Sequence, residues 1–310
     1  MDGPLVLSIV GTTATGKSEL AVALAQRLDG EIVNADALQV YRGFDIGTAK
    51  PSLDERRSVP HHLFDILDPS EAYSAGEFVR RAEVVLEEIH RRNRAAIVVG
   101  GSGLYQRALF SGLAELPPVD LGLRRALREE ARQRGTPTLH AELAAQDPIA
   151  AARLAPGDSQ RVVRALEVLR SSGRPLSEWL RARPVGERKA RRHLVRIGLT
   201  LPRTLLYDRL ASRVEAMIER GWVKEVADLL AGGVPAEAPA FQAIGYRQLV
   251  GYLRGESTLA AAVSDIVAST RRYAKRQETW FRKEEGVRWF EASAAQPLLV
   301  EAVLCDLPAR

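Results

Sequence analysis

The chain has 310 residues, 46% hydrophobic and 27% charged, with a net charge of +5 and a pI near 9.5. That balance excludes a disordered polymer, and no apolar run reaches the roughly 18–20 residues that span a bilayer. One cysteine, Cys305, excludes an intrachain disulfide or a multi-cysteine zinc site.

The start, "MDGPLVLS", opens with an acid and lacks the basic segment of a signal peptide, so the reducing cytoplasm is the expected location. Leu5 to Val10 is an apolar run that predicts a strand. It ends in the Gly-rich "GTTATGKS", Gly11 to Ser18, and "SELAVALAQRL" follows with Leu20, Leu24 and Leu28 at helical spacing. "EIVNAD" (Glu31 to Asp36) predicts a second strand, "EFVRRAEVVLEEIHRR" an amphipathic helix, and the fully apolar "AAIVVGG" (Ala95 to Gly101) a third strand. The alternation predicts an α/β fold, a parallel sheet flanked by helices and carrying a phosphate loop (P-loop).

Pro117-Pro118 closes this pattern, so residues 1–117 read as the first part of the core. Residues 118–190 read as a mostly helical insertion domain, through "LRRALREEARQ", "LHAELAAQ" and "DSQRVVRALEVLRSSG". Residues 191–310 return to the core: His193 to Leu201 predicts a strand that rejoins the sheet, and long helices follow. There is no internal repeat.

Two basic segments stand out. Arg181 to Arg196 carries seven Lys or Arg against one acid, and "TRRYAKRQETWFRK" (Thr270 to Lys283) interleaves six with Tyr273, Trp280 and Phe281. Basic groups neutralise RNA phosphates and aromatic faces stack on splayed bases. The competing reading is a solvated helix face with its aromatics turned to the core.

"GTTATGKS" fits Gly, four residues, Gly-Lys-Ser/Thr. Strand, loop and helix in that order aim backbone N–H groups and a helix N-terminus at phosphate oxygens. Lys17 is the cation for the terminal phosphates and Ser18 the hydroxyl ligand for Mg²⁺. A triphosphatase of this kind has an acid at the end of an apolar strand, but "AAIVV" runs into Gly100-Gly101-Ser102. The acid stands instead at Asp36, after the second strand, as a ligand to Mg²⁺ through water, as a base on an acceptor, or as the cap of a turn. Ser102 is either a site residue or an ordinary polar turn residue. From the residues alone, a small-molecule kinase explains the loop and Asp36, a transferase acting on RNA explains the basic segments as well, and a non-catalytic RNA-binding protein leaves the loop unexplained.

At these residues the sequence resembles the tRNA dimethylallyltransferase (tRNA isopentenyltransferase) family, bacterial type. The matching segments run in order from near the N-terminus to about Arg282: "GTTATGKSELA", "NADALQVYRGFDIGTAKP", "PHHLFDILDP", "YSAGEF", "VVGGSGLY", "RVVRALEV", "FQAIGYRQL" and "AKRQETWFR". Thr12 stands where the family often has Pro, Ser18 where it often has Thr, and Ala37 where it often has Ser.

The resemblance implies transfer of a dimethylallyl group from dimethylallyl diphosphate to N6 of the adenosine 3′-adjacent to the anticodon, in tRNAs reading U-starting codons. A relative acting on free adenine nucleotides is the alternative within that chemistry. Gly11, Thr12, Thr13, Ala14, Thr15, Gly16, Lys17 and Ser18 would hold the diphosphate, Ser18 with Mg²⁺. Asp36 would be the base, with Ser102, Lys17 and Arg213 completing the catalytic set. On sequence alone Arg213 reads equally as a helix ion pair.

The tRNA anticodon arm would meet Asp36, Ala37, Leu38 and Gln39 in one segment and Gln160, Arg161 and Arg164 in the insertion. It would also meet Ala243, Gly245, Tyr246, Arg247 and Gln248, then Lys275, Arg276, Gln277, Trp280 and Arg282, gripped between core and insertion. His61 reads as a structural histidine or a site residue. A monomer without membrane attachment is the expectation.

Overall fold

A computed structural model describes residues 5–114, 116–118, 120–181, 193–293 and 296–307. Six parallel strands form one sheet: β1 (Leu5–Gly11), β2 (Gly30–Asn34), β3 (His61–His62), β4 (Ala95–Val99), β5 (His193–Thr200) and β6 (Val287–Glu291). Their order is β3-β2-β4-β1-β5-β6. In β2 and β4 every residue is buried, and in β1 all but Leu5. A parallel sheet is covered on both faces, which is why these strands read as unbroken apolar runs.

One face of the sheet packs on α1 (Lys17–Leu28), which buries Leu20, Ala21, Leu24 and Ala25 against Leu7, Ile9 and Ile97. The other face packs on α3 (Ala75–Arg91) through Phe78, Ala82, Leu86 and Ile89. The Ser74 side chain caps α3 by accepting from the Glu77 amide. Beneath the sheet's near end, Glu31 is 1% exposed. Burial pushes its pKa up, but hydrogen bonds from Arg92 and His62 outweigh that and hold the carboxyl at about 2.

The chain divides into two compact units, residues 1–110 with 190–310, and 111–189. The division falls just before the end of α4 (Gly103–Ser111), ahead of the Pro117-Pro118 pair. The second unit holds α5 (Leu121–Arg134), α6 (Thr136–Gln146), α7 (Pro148–Ala151), α8 (Ser159–Ser172) and α9 (Leu176–Arg181) around Leu127, Leu139, Leu143, Val162 and Leu166. The first unit is completed by α2 (Leu53–Arg57), α10 (Arg203–Glu219), α11 (Trp222–Ala231), α12 (Tyr246–Leu253), α13 (Leu259–Phe281) and α14 (Gln296–Cys305). Strand β5 rejoins the sheet beside β1, Leu7 opposite Val195.

Strands β3 and β6 have no counterpart in the sequence reading. Both lie at sheet edges, and β3 has two residues, too short for a period to register. Most of the basic segment Arg181 to Arg196, and the 190/191 boundary, lie outside the described residues. Among the described residues no helix is long and apolar enough to cross a membrane.

Candidate active site

The phosphate loop leaves β1 at Gly11, where φ is +140° and an added Cβ would stand 2.5 Å from the Leu199 carbonyl oxygen. A glycine is required there because β5 passes against the loop. Gly16, at φ +82°, turns the chain into α1. Lys17 Nζ donates to the Thr12 carbonyl at 2.6 Å and Thr15 Oγ1 to the same oxygen at 2.8 Å. Burial, helped by the positive charge of Arg213, lowers the Lys17 pKa to about 8. Burial also draws Arg213 below its ordinary value. Among the described residues neither cation has an ion-pair partner, so the loop holds two partly desolvated charges that an anion would satisfy.

Asp36 follows β2. Asn34, 1% exposed, accepts from the Asp36 amide at 2.9 Å and donates to the Leu63 carbonyl at 3.0 Å. Asp36 Oδ1 accepts from the Leu38 amide at 2.8 Å, which leaves Oδ2 without a hydrogen bond among the described residues. The turn-capping role and a free carboxylate oxygen therefore coexist in one side chain.

Lys17, Ser18, Asp36, Gln39, Arg213 and Gln277 line one cavity of about 780 Å³. Its apolar wall comes from Val22, Ala23, Ile32, Phe64 and Val99. Arg209 and Arg220, at four residues before and seven after Arg213, line it too. That spacing puts Arg209, Arg213 and the C-cap Arg220 along one side of α10, a pattern visible in the sequence. His61 is in the wall, its Nδ1 2.8 Å from the Val59 carbonyl, and burial lowers its pKa.

Gln277 on α13 is 5% exposed. Its Oε1 accepts from the Thr13 amide and its Nε2 donates to the Gly101 carbonyl, each at 2.9 Å. It ties the phosphate loop to the end of β4, and the Thr13 amide is thereby committed. A Cβ on Gly101 would run into Gln277, and one on Gly103 into the Trp280 indole. Gly101 and Gly103 of "GGSG" thus admit α13. The Arg107 guanidinium lies 4.2 Å above the Trp280 ring and pairs with Glu284 at 2.6 Å. Both readings of the basic segment hold together: Tyr273, Trp280 and Phe281 turn inward, while Lys275, Arg276 and Arg282 are exposed.

Ser102 is half-buried at the start of α4 and is not part of the cavity wall. Ala37 and Leu38 are half-buried in the turn after Asp36. Gln39 Nε2 donates to the Thr48 and Ala49 carbonyls at 3.0 and 3.2 Å, closing the loop that holds Lys50 between Asp45 and Asp65. Tyr246 is fully buried among Phe44, Trp222 and Phe241, with its hydroxyl on Glu225 at 2.7 Å. Gln248 is buried and bonds the Gly245 amide at 2.8 Å. Ala243 is half-buried, and Arg247 is the exposed side chain of that motif. In the second unit Gln160 and Arg161 are exposed, while Arg164 pairs with the buried Glu167 at 2.8 Å.

Among the described residues no group of three or more His, Cys, Asp or Glu forms a metal cage. The oxygen donors at the loop include the Ser18 hydroxyl and the carboxylates of Asp36 and Glu19. That sparse set fits Mg²⁺, which takes few protein ligands and fills its octahedron with substrate phosphate oxygens and water.

Residues 39–284 match the family model described as IPP transferase. A tRNA dimethylallyltransferase of Geobacter metallireducens is 49% identical over 283 residues, 91% of each chain. The solved tRNA isopentenylpyrophosphate transferase of Bacillus halodurans superposes with a TM-score of 0.71 at 39% identity, covering 96% of this chain and 94% of its own. A eukaryotic dimethylallyltransferase solved acting on tRNA gives a TM-score of 0.79 at 28% identity, covering 99% and 81%.

Proposed function

This chain belongs to the IPP transferase family, and we propose that it transfers a dimethylallyl group from dimethylallyl diphosphate to N6 of the adenosine 3′-adjacent to the anticodon, in tRNAs reading U-starting codons. The observation that carries the proposal is one cavity that joins two partly desolvated cations, neither in a direct ion pair among the described residues, to a carboxylate with an oxygen that accepts no hydrogen bond there.

The diphosphate binds the loop from Gly11 to Ser18, apart from the Thr13 amide that Gln277 occupies. Lys17 and Arg213 meet the negative charge that grows on it as the allylic C–O bond breaks and the electron pair leaves with diphosphate. Ser18 and Asp36 would hold Mg²⁺, which would supply further neutralisation of that charge. The N6 lone pair of adenine is delocalised into the ring, so the amine attacks weakly and sheds its proton only as the N–C bond forms. Asp36 Oδ2 accepts that proton. Hydrogen bonding of Asp36 to N6–H also orients this nitrogen ahead of the ring nitrogens. The apolar wall around Ile32, Phe64 and Val99 surrounds the prenyl tail and keeps water from the cationic carbon. The adenosine leaves its stack to reach Asp36, at a cost of a few kcal/mol, which phosphate contacts from Arg247, Lys275, Arg276 and Arg282 offset. Ser102 is assigned beside the reacting nucleotide. The protein works as a cytoplasmic monomer.

A phosphate-transferring kinase is disfavoured because β4 runs into Gly100-Gly101-Ser102 with no acid at its end. Mass spectrometry of nucleosides tests the proposal, after incubation of unmodified tRNA with Mg²⁺ and each candidate donor. The expected result is one adenosine gaining one dimethylallyl group. Folded protein that leaves such tRNA unchanged, or consumes ATP instead, would overturn it.

A further inference from the structure

A second cavity, of about 600 Å³, opens at the carboxyl ends of β1 and β5. The phosphate loop walls both cavities: Gly11 and Thr12 face this one, while Gly16, Lys17 and Ser18 face the first. Ligands of open parallel sheets bind beyond these strand ends, and neither the prenyl donor nor the acceptor adenine described above occupies this cavity.

Trp289 on β6 pairs in register with Gly198 on β5. A Cβ on Gly198 would stand 2.5 Å from Trp289 Cε3, so the indole lies across bare backbone. It is nevertheless 41% exposed, a braced aromatic surface with no partner ring among the described residues. Arg203 and Lys275 also line the cavity, and neither has an ion pair among the described residues. Arg203 opens the 17-residue helix α10, whose N-cap, Pro202, offers no side-chain hydrogen bond to its first amides. Glu278, held by Arg282 at 2.6 Å, adds a carboxylate acceptor to the wall.

A flat aromatic face beside unpaired cations and open helix amides matches a nucleobase joined to its phosphate. We propose that this cavity is an RNA subsite for one unstacked nucleotide close to the acceptor adenosine, its base on Trp289 and its phosphate at Arg203, Lys275 and the start of α10. The proposal rests on the tRNA reading above, and it commits to a nucleotide of the RNA over a free nucleotide. The RNA is favoured because Lys275 belongs to the same exposed basic segment as Arg276 and Lys283. Since Gly11 and Thr12 wall this cavity and Gly16, Lys17 and Ser18 of the same loop wall the first, a base seated here also braces the loop that holds the donor.

The test is a double-mutant cycle on the full chain. Anticodon stem–loop RNAs, each with a single abasic nucleotide at a successive loop position, are bound to the wild type and to Trp289→Ala. Affinity is read by fluorescence anisotropy. Trp289→Ala should weaken the intact RNA on the order of tenfold, the loss typical of one stacked base, and Trp289→Phe should restore most of it. At one loop position, other than the acceptor itself, the abasic RNA should bind the two proteins equally. Arg203→Ala should lower the slope of log affinity against log salt by about one.

The subsite is overturned if Trp289→Ala penalises every abasic RNA alike, if RNA affinity is unchanged in both the Trp289 and Arg203 variants, or if free AMP displaces the intact RNA from wild type but not from Trp289→Ala. Donor binding and thermal midpoint, measured on the same samples, verify folding. Absence of prenyl transfer by the wild type would refute the proposed function instead, so the two failures are distinguishable.

Discussion

Binding of the prenyl diphosphate should take up a proton, and the uptake should depend on pH. Burial and Arg213 hold free Lys17 at about 8, against an ordinary 10.5. A diphosphate against Lys17 favours its charged form and raises that pKa toward the ordinary value. The direction follows from the sign of the shift: the free protein has lost the proton above about pH 8, the complex has not. At pH 8 half of the free Lys17 is neutral, so uptake is about half a proton; at pH 6 it is close to nil, and at pH 9 about nine-tenths. Affinity for the donor should accordingly fall above pH 8, approaching about tenfold per pH unit. Titration calorimetry of dimethylallyl diphosphate into the RNA-free protein, in two buffers of different ionisation enthalpy, reads the uptake directly. Lys17→Arg, charged throughout this range, should abolish its pH dependence. Uptake that is flat from pH 6 to 9, or unchanged in Lys17→Arg, would refute the reasoning.

Two further outcomes follow from the geometry. Gln277→Leu removes both bonds that hold the Thr13 amide and the Gly101 carbonyl, and each lost bond is worth about 0.5–1.5 kcal/mol. Steady-state kinetics should show a raised donor KM with RNA affinity within about twofold, whereas a loss confined to RNA binding would make Gln277 an RNA contact. Glu31 has its carboxyl at about 2 in the folded chain against 4.5 ordinarily, so its contribution to stability is complete above pH 4.5 and lost as the pH falls toward 2. Glu31→Gln should cost about 1.5–3 kcal/mol at pH 7 and flatten the acid limb of Tm against pH, and an unchanged acid limb would contradict that.

The sequence displayed the part of the site that is local. Strand, Gly-rich loop and helix are contiguous, so Lys17 and Ser18 were legible, and Asp36 was legible because it stands just after a strand. Contacts that join distant segments were not. Gln277 reads as one more polar residue of a basic helix until α13 is seen to cross the loop, and Gly101 and Gly103 gain their reason only from that crossing. Tyr246 and Gln248 sit in a motif that reads as RNA-facing, yet they fill the space beside Trp222 and cap α12, leaving Arg247 outside. Trp289 was invisible because β6 is a short edge strand whose exposed and half-buried pattern gives no period. Arg213 needed the family resemblance, since a lone arginine in a charged helix does not distinguish itself from an ion pair.

The central claim is that a loop gripping a leaving diphosphate works beside Asp36, which takes the proton from the acceptor amine. It is tested most directly by measuring single-turnover prenyl transfer and RNA affinity on one preparation of Asp36→Ala. The account predicts transfer slower by about 10²–10⁴-fold, the range for a lost general base, with RNA affinity changed only a few-fold. Equal losses in transfer and affinity, or transfer at the wild-type rate, would contradict it.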